Sequence, residues 1–191
     1  MMIMKSNNKN IVFIGMPSVG KSYWGGIVSN LYNMNFIDGD TLMEDNYGKK
    51  LGIILKELGE EEFCKYEEEV LCNLTCHNTI ISPGGSVIYS DKIMNHFKKL
   101  NSIIIYLYLD IETLRDRLGD LKKRGVVIKP GMTFRDLFKE RSILYEKYSD
   151  YKVYCTNKNY DEILSEIKHI ISRFIRSEER RVGKECRSRW S

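Results

Sequence analysis

Residues 15–22 read Gly-Met-Pro-Ser-Val-Gly-Lys-Ser, two glycines five apart followed by a Lys-Ser pair. This fits G-x-x-x-x-G-K-[ST] at every fixed position, a spacing suited to holding phosphate. Gly15 and Gly20 allow a tight turn whose successive N–H groups face one anion, with the positive end of the following helix behind them. Gly15, Ser18, Val19, Gly20, Lys21, Ser22 and Tyr23 are the residues expected to hold a nucleotide. Lys21 supplies a mobile cation for its terminal phosphates, and Ser22 offers a hydroxyl to Mg²⁺.

Some sixteen residues beyond Ser22 stands Asp38-Gly39-Asp40, at the end of a short apolar run. Ligands of open parallel sheets bind outside the carboxyl ends of strands. Two carboxylates there can hold a hydrated metal and take a proton from an attacking hydroxyl. Alone they would read as helix-capping aspartates; beside a phosphate loop the chemical reading prevails.

These groups need a scaffold, and the apolar pattern provides one. NIVFIG (10–15), NFID (35–38), TIIS (79–82), SIIIYLYL (102–109) and KVYCT (152–156) have the lengths and β-branched content of strands. Helical spacing fills the gaps. Residues 22–32 put Trp24, Ile27, Val28 and Leu31 on one face, and residues 41–74 are helical with breaks at Tyr47-Gly48 and Leu58-Gly59. Further helices are expected over 90–100, 111–118, 133–148 and 160–175. Strands alternating with helices predict an α/β three-layer sandwich on a five-stranded parallel sheet. The domain spans 10–175. Residues 119–133, with three glycines and Lys122, Lys123, Arg124 and Lys129, form a basic loop of the kind that closes over a site.

The totals exclude several classes. No apolar run approaches the roughly 18 residues that span a bilayer, and the first ten residues do not read as a secretory signal. Five irregularly spaced cysteines argue for reduced thiols and a cytoplasmic protein rather than a disulfide framework. Of the net charge of +4, residues 176–191 contribute +3. That tail lacks apolar periodicity and is read as a disordered end or a cloning or read-through remnant. A nearly neutral domain gives no ground for a nucleic-acid or membrane partner. A monomer acting on a small molecule is expected.

From about residue 10 to 174 the chain resembles the shikimate kinase family, P-loop kinases of small molecules. The order that carries the likeness is the phosphate loop, Asp38-Gly39-Asp40, GEEEFCKYE (59–67), SPGGS (82–86), Arg117, Arg124 and the Arg141-x-x-x-Tyr145 helix. The resemblance implies ATP and Mg²⁺ as cofactors, with Ser22 and Asp38 at the metal and Arg117 stacked on adenine. It further implies Asp40 at the acceptor hydroxyl, Arg124 over the transferring phosphoryl group, and Gly84, Gly85 and Arg141 around the acceptor. Lys21, Asp40 and Arg124 would carry the catalysis. Two positions depart from the pattern. Cys64 stands where the family has an arginine that grips the acceptor carboxylate, and Pro83 replaces the first of three glycines. A thiol cannot make a guanidinium's forked, charge-assisted contact; Lys65 is adjacent but turned about 100° round the helix. The expected activity is phosphorylation of shikimate. The alternatives are a kinase of another small polyol or gluconate-type sugar acid, and a nucleotide-binding module without turnover.

Overall fold

The computed structural model describes residues 9–118, 126 and 131–188, with side chains to residue 175. Among these, five strands fall where the apolar runs predict: β1 (Asn10–Ile14), β2 (Asn35–Asp38), β3 (Thr79–Ser82), β4 (Ser102–Tyr108) and β5 (Tyr151–Tyr154). They pair in parallel, in the order β2-β3-β1-β4-β5. The central β1 and β3 are buried along their whole length, as uniformly apolar strands covered on both faces must be. β2 and β5, at the two edges, carry the exposed positions. The helices α1 (Lys21–Tyr32), α2 (Gly39–Tyr47), α3 (Leu51–Cys72), α4 (Asp91–Lys99), α5 (Ile111–Leu118), α6 (Phe134–Tyr148) and α7 (Tyr160–Ser188) connect the strands and cover both faces.

Two glycines set geometry near the sheet's carboxyl edge. Gly15, at φ +148°, leaves β1 so close to β4 that a Cβ would stand 2.5 Å from the Leu107 carbonyl oxygen. A Cβ on Gly25 would stand 2.4 Å from the Phe36 ring and 2.7 Å from Ser82 Oγ. That close approach turns Trp24, Gly25, Val28 and Ser29 inward and leaves Leu31 half exposed. The expected stripe of Trp24, Ile27, Val28 and Leu31 holds for its first three members, Ile27 packing partly buried against the core, and is corrected at Leu31, while Gly25 and Ser29 join the buried face. It also lets Ser82 Oγ donate to the Lys21 carbonyl at 3.0 Å, fastening the start of α1 to β3. Gly25→Ala should cost about 1–3 kcal/mol by overpacking, a clear drop in melting temperature by calorimetry. An unchanged melting temperature would show that α1 can slide outward freely.

Both expected breaks in 41–74 occur. Gly48, at φ 77°, ends α2, and Gly59, at φ 73° and ψ 171°, kinks α3. The small core beside α2 spans the kink, and the end of α3 runs on to the sheet. Met43, Leu51, Ile54 and Phe63 form a small cluster of their own, whereas Leu71 belongs with the sheet. Asn10, fully buried, ties the start of β1 to its surroundings, donating to the Cys76 and Leu100 carbonyls and accepting from Thr79 N–H.

The last helix runs past residue 175, where the apolar pattern ends, to Ser188. Arg, Glu and Lys are good helix formers, so a helix nucleated by packed residues can propagate through them without an apolar face. No helix among the described residues is long and apolar enough to cross a membrane.

Candidate active site

A cavity of about 520 Å³ opens at the carboxyl edge of the sheet, beside β1 and β3. Three elements meet there: the loop from β1 to α1, the start of α2, and the loop after β3, with α3 and α6 behind them.

The β1–α1 loop contributes Ser18, Gly20, Lys21, Ser22 and Tyr23 to the lining. Ser18 adopts φ 65°, a left-handed conformation rarely held by a residue with a side chain. In the protein without ligand, Lys21 Nζ donates to the Gly15 carbonyl at 3.0 Å and the Met16 carbonyl at 3.3 Å. Burial lowers its pKa to about 8, partly opposed by Asp40. The ammonium is thus held at some cost, with neutral dipoles where an anion would be the better partner.

Ser22 Oγ donates to Asp38 Oδ2, so the two oxygens expected at a metal are already adjacent. The other oxygen of Asp38 accepts from Thr41 N–H at 3.1 Å and caps α2. Capping thus occupies one oxygen and leaves the other, beside Ser22, for a metal to use. This paired donor set of a hydroxyl and a carboxylate suits Mg²⁺, which takes few protein oxygens and keeps several waters.

Asp40 projects from the first turn of α2 into the same cavity. The protein atoms crowded round it push its carboxyl up to about 6, with Lys21 pulling the other way; water on its open face limits that push. Gly39, between the two aspartates, lies against Pro83, whose Cα would be 2.9 Å from a Cβ there. The proline thus stacks on the turn that aims Asp40.

The loop after β3 forms the opposite wall, where Gly84 and Gly85 make room for three charged side chains. A Cβ on Gly84 would stand 2.6 Å from Glu67 Oε1 and 3.1 Å from Asp40 Oδ1; one on Gly85 would stand 2.9 Å from Arg141 Nη1. Arg141, from α6, is 1% exposed. Its Nε donates to the Tyr89 hydroxyl at 3.3 Å, and Tyr145 on the same helix donates to the Gly85 carbonyl at 2.8 Å. Burial works against the guanidinium's charge, but Tyr145, Tyr89 and Glu67 outweigh it and raise its pKa. It is a fixed cation at the cavity wall.

The expected residues therefore divide. Ser18, Gly20, Lys21, Ser22, Tyr23, Asp40, Gly84, Gly85 and Arg141 line one cavity, with Asp38 hydrogen-bonded to Ser22 at its edge. Gly15 and Val19 support the loop from behind; Val19 is 2% exposed. Arg117 is exposed on α5, outside the lining. Cys64 is half-buried beside the small cluster of Met43, Leu51 and Phe63 and does not line the cavity either. Burial raises its thiol pKa, with Glu67 adding to that and Arg141 opposing. Lys65 does not reach round; it pairs outward with Glu61 and Glu62 at 2.9 and 2.8 Å. Arg124 and most of the basic loop lie outside the described residues.

Glu67 was not among the expected residues. It is 2% exposed, accepts from Ser86 Oγ at 2.7 Å, and burial lifts its carboxyl to about 7, with Asp40 adding to the push. The signal was present in the sequence. Phe63, Glu67 and Leu71 share one α3 stripe at i, i+4 and i+8, so a carboxylate interrupts an apolar face.

Comparison with known proteins agrees with this geometry. The shikimate kinase family model matches residues 17–172. A shikimate kinase from Bacillus anthracis (strain CDC 684 / NRRL 3495) is 31% identical over 165 residues, covering 86% of this chain and 99% of the relative. Among solved structures, the Acinetobacter baumannii shikimate kinase in complex with shikimate superposes with a TM-score of 0.75 at 28% identity, covering 85% of this chain and 92% of the other. The Aquifex aeolicus shikimate kinase gives 0.72 at 30%, covering 85% and 96%. Matched by that family model over residues 17–172 and 31% identical to a relative covered to 99%, the chain belongs to the shikimate kinase family, small-molecule kinases that use ATP and Mg²⁺.

Proposed function

We propose that this protein transfers the γ-phosphoryl group of ATP to a hydroxyl of shikimate, giving shikimate 3-phosphate. The observation that supports it best is the placement of buried Arg141 at Gly85, in one cavity with Asp40 and Lys21. A carboxylate on Arg141 would turn the far side of a small ring toward Asp40 and the phosphate loop.

Each side chain then has a task. Lys21 leaves the Gly15 and Met16 carbonyls for the β- and γ-phosphates, and its charge offsets theirs as the phosphoryl group departs. Ser22 and Asp38 would hold Mg²⁺, which would supply positive charge against the charge developing on the phosphates. Asp40 orients the acceptor hydroxyl and takes its proton on Oδ1 or Oδ2. Arg141 holds the acceptor carboxylate, Gly84 and Gly85 admit the ring against backbone, and Arg117 and Arg124 complete the donor side.

A second reading, a kinase of another polyol or sugar acid, draws on Cys64 and Pro83. Release of ADP, measured with shikimate, quinate, gluconate and nucleoside monophosphates, separates the readings. Shikimate should give the highest kcat/KM. A better acceptor among the others would move the substrate, and none at all would leave a nucleotide-binding module. Cys64→Arg sharpens the comparison. A guanidinium one turn before Glu67 should add a charge-assisted contact of about 1.5–3 kcal/mol to a carboxylate acceptor. The KM for shikimate should fall by roughly ten- to a hundredfold, with that for ATP little changed. If the variant instead abolishes activity toward a different acceptor, the second reading gains.

A further inference from the structure

The carboxylates of the acceptor cavity outnumber its cations. Asp40, Glu44 and Glu67 line it, against Lys21 and Arg141 among the described residues. Lys21 is engaged by the loop carbonyls, and Glu44 by Lys50 and Leu51 N–H. Glu67 has no ion-pair partner among the described residues. Its immediate contact is the Ser86 hydroxyl, from the loop after β3. The charged groups that face it are Asp40 from α2, Arg141 from α6 and Lys21 from α1, with the Cys64 thiol one turn earlier on its own helix. Lys65, next along that helix, points outward.

Glu67 Oε1 and Asp40 Oδ1 both crowd the space a Cβ on Gly84 would fill, at 2.6 and 3.1 Å from it. Two ionised carboxylates on such a wall repel each other, and the more buried one takes the proton. An acceptor carboxylate arriving at Arg141 would be a third anion in the same space.

We propose that Glu67 is a specificity-determining residue that sets the charge an acceptor can bring: carrying a proton, it lets an acceptor carboxylate settle on Arg141, and ionised, it repels that carboxylate. The inference rests on the reading that the acceptor bears a carboxylate. Its consequence is an acceptor affinity that depends on pH in a direction opposite to that of a required base. Below the titration of Glu67 the cavity is ready. Above it, each pH unit imposes the cost of returning a proton to Glu67 before the acceptor can bind, up to about tenfold per unit. Glu67 touches no reacting atom in this scheme, so the effect falls on acceptor KM and spares kcat and the KM for ATP.

The test follows shikimate KM, ATP KM and kcat from about pH 6.5 to 8.5 in the wild type and in Glu67→Gln, with carboxyl ¹³C NMR of ligand-free protein labelled on glutamate. The wild-type shikimate KM should rise roughly ten- to thirtyfold over that range. Glu67→Gln should keep a low KM throughout, and the resonance absent from it should titrate near neutrality, well above the exposed glutamates. A flat wild-type KM, an equal rise in Glu67→Gln, or a Glu67 resonance that titrates with the surface glutamates would overturn the proposal. Should Glu67→Gln not fold, Ser86→Ala serves instead. Removing the hydroxyl that favours the anion must move the KM rise to higher pH, and an unmoved rise overturns the proposal. If no variant turns over shikimate at any pH, the functional reading fails. The resonance then decides alone: a near-neutral midpoint supports a protonated Glu67, and an ordinary one refutes it.

Discussion

Lys21→Ala should lower turnover by about a hundred- to a thousandfold without lowering the melting temperature. The loss follows from removing a pre-positioned cation from the place where phosphoryl charge develops, a contribution of roughly 3–4 kcal/mol in comparable sites. The retained stability follows from the ligand-free geometry. Burial pulls the Lys21 pKa from 10.5 to about 8, so the folded protein holds the ammonium less readily than the unfolded chain does. A depressed amine pKa means a destabilising contribution below about 8 that fades as the pH rises toward 10.5. The alanine variant should therefore melt at or above the wild-type temperature at neutral pH, and any advantage should shrink in alkaline buffer. Release of ADP at saturating acceptor and a thermal melt at two pH values check both halves. Activity near that of the wild type would remove the donor-site reading.

Asp40→Asn should cost about a hundred- to ten-thousandfold in kcat, the range expected for a positioned proton acceptor. Asparagine keeps the shape and can still bond a hydroxyl, but it cannot take the proton. The capping of α2 is untouched, because Asp38 and not Asp40 accepts from Thr41 N–H. Acceptor KM should move little, and the fold should be intact by circular dichroism. A kcat within a few-fold of the wild type would mean that Asp40 only lines the wall and that the proton leaves by another route.

Much of this arrangement was legible from residue order. Uniformly apolar runs such as TIIS and SIIIYLYL identified buried strands because both faces are covered, and Gly48 and Gly59 marked the breaks because helix interiors disfavour glycine. The phosphate loop and the Asp38-Gly39-Asp40 turn were readable because their geometry is local. What could not be read was non-local. Nothing in β3 or β4 says that both flank β1, since interchangeable apolar strands carry no label for their neighbour. Lys65 stands next to Cys64 in the sequence, yet two glutamates within four residues hold it outside. Glu67 hid among seven other glutamates between residues 44 and 69; its place on the stripe with Phe63 and Leu71 was legible, but its contact with Ser86 was not. Where α1 meets the sheet was set by the absence of a side chain at Gly25, which an apolar-periodicity argument does not register.

The cavity lies between two separately packed clusters. Phe63, with Met43, Leu51 and Ile54, belongs to the small cluster, whereas the phosphate loop rests on the sheet. A lineage can therefore rewrite one side of the pocket without renegotiating the other. Substitutions among Met43, Leu51, Ile54, Phe63 and Cys64 fall on a handful of side chains and leave the footing of the phosphate loop on the sheet untouched. An arginine exchanged for Cys64 is a change of that kind. An exchange of side chains in the small cluster is the change this architecture absorbs most readily, because the phosphate loop rests on the other one.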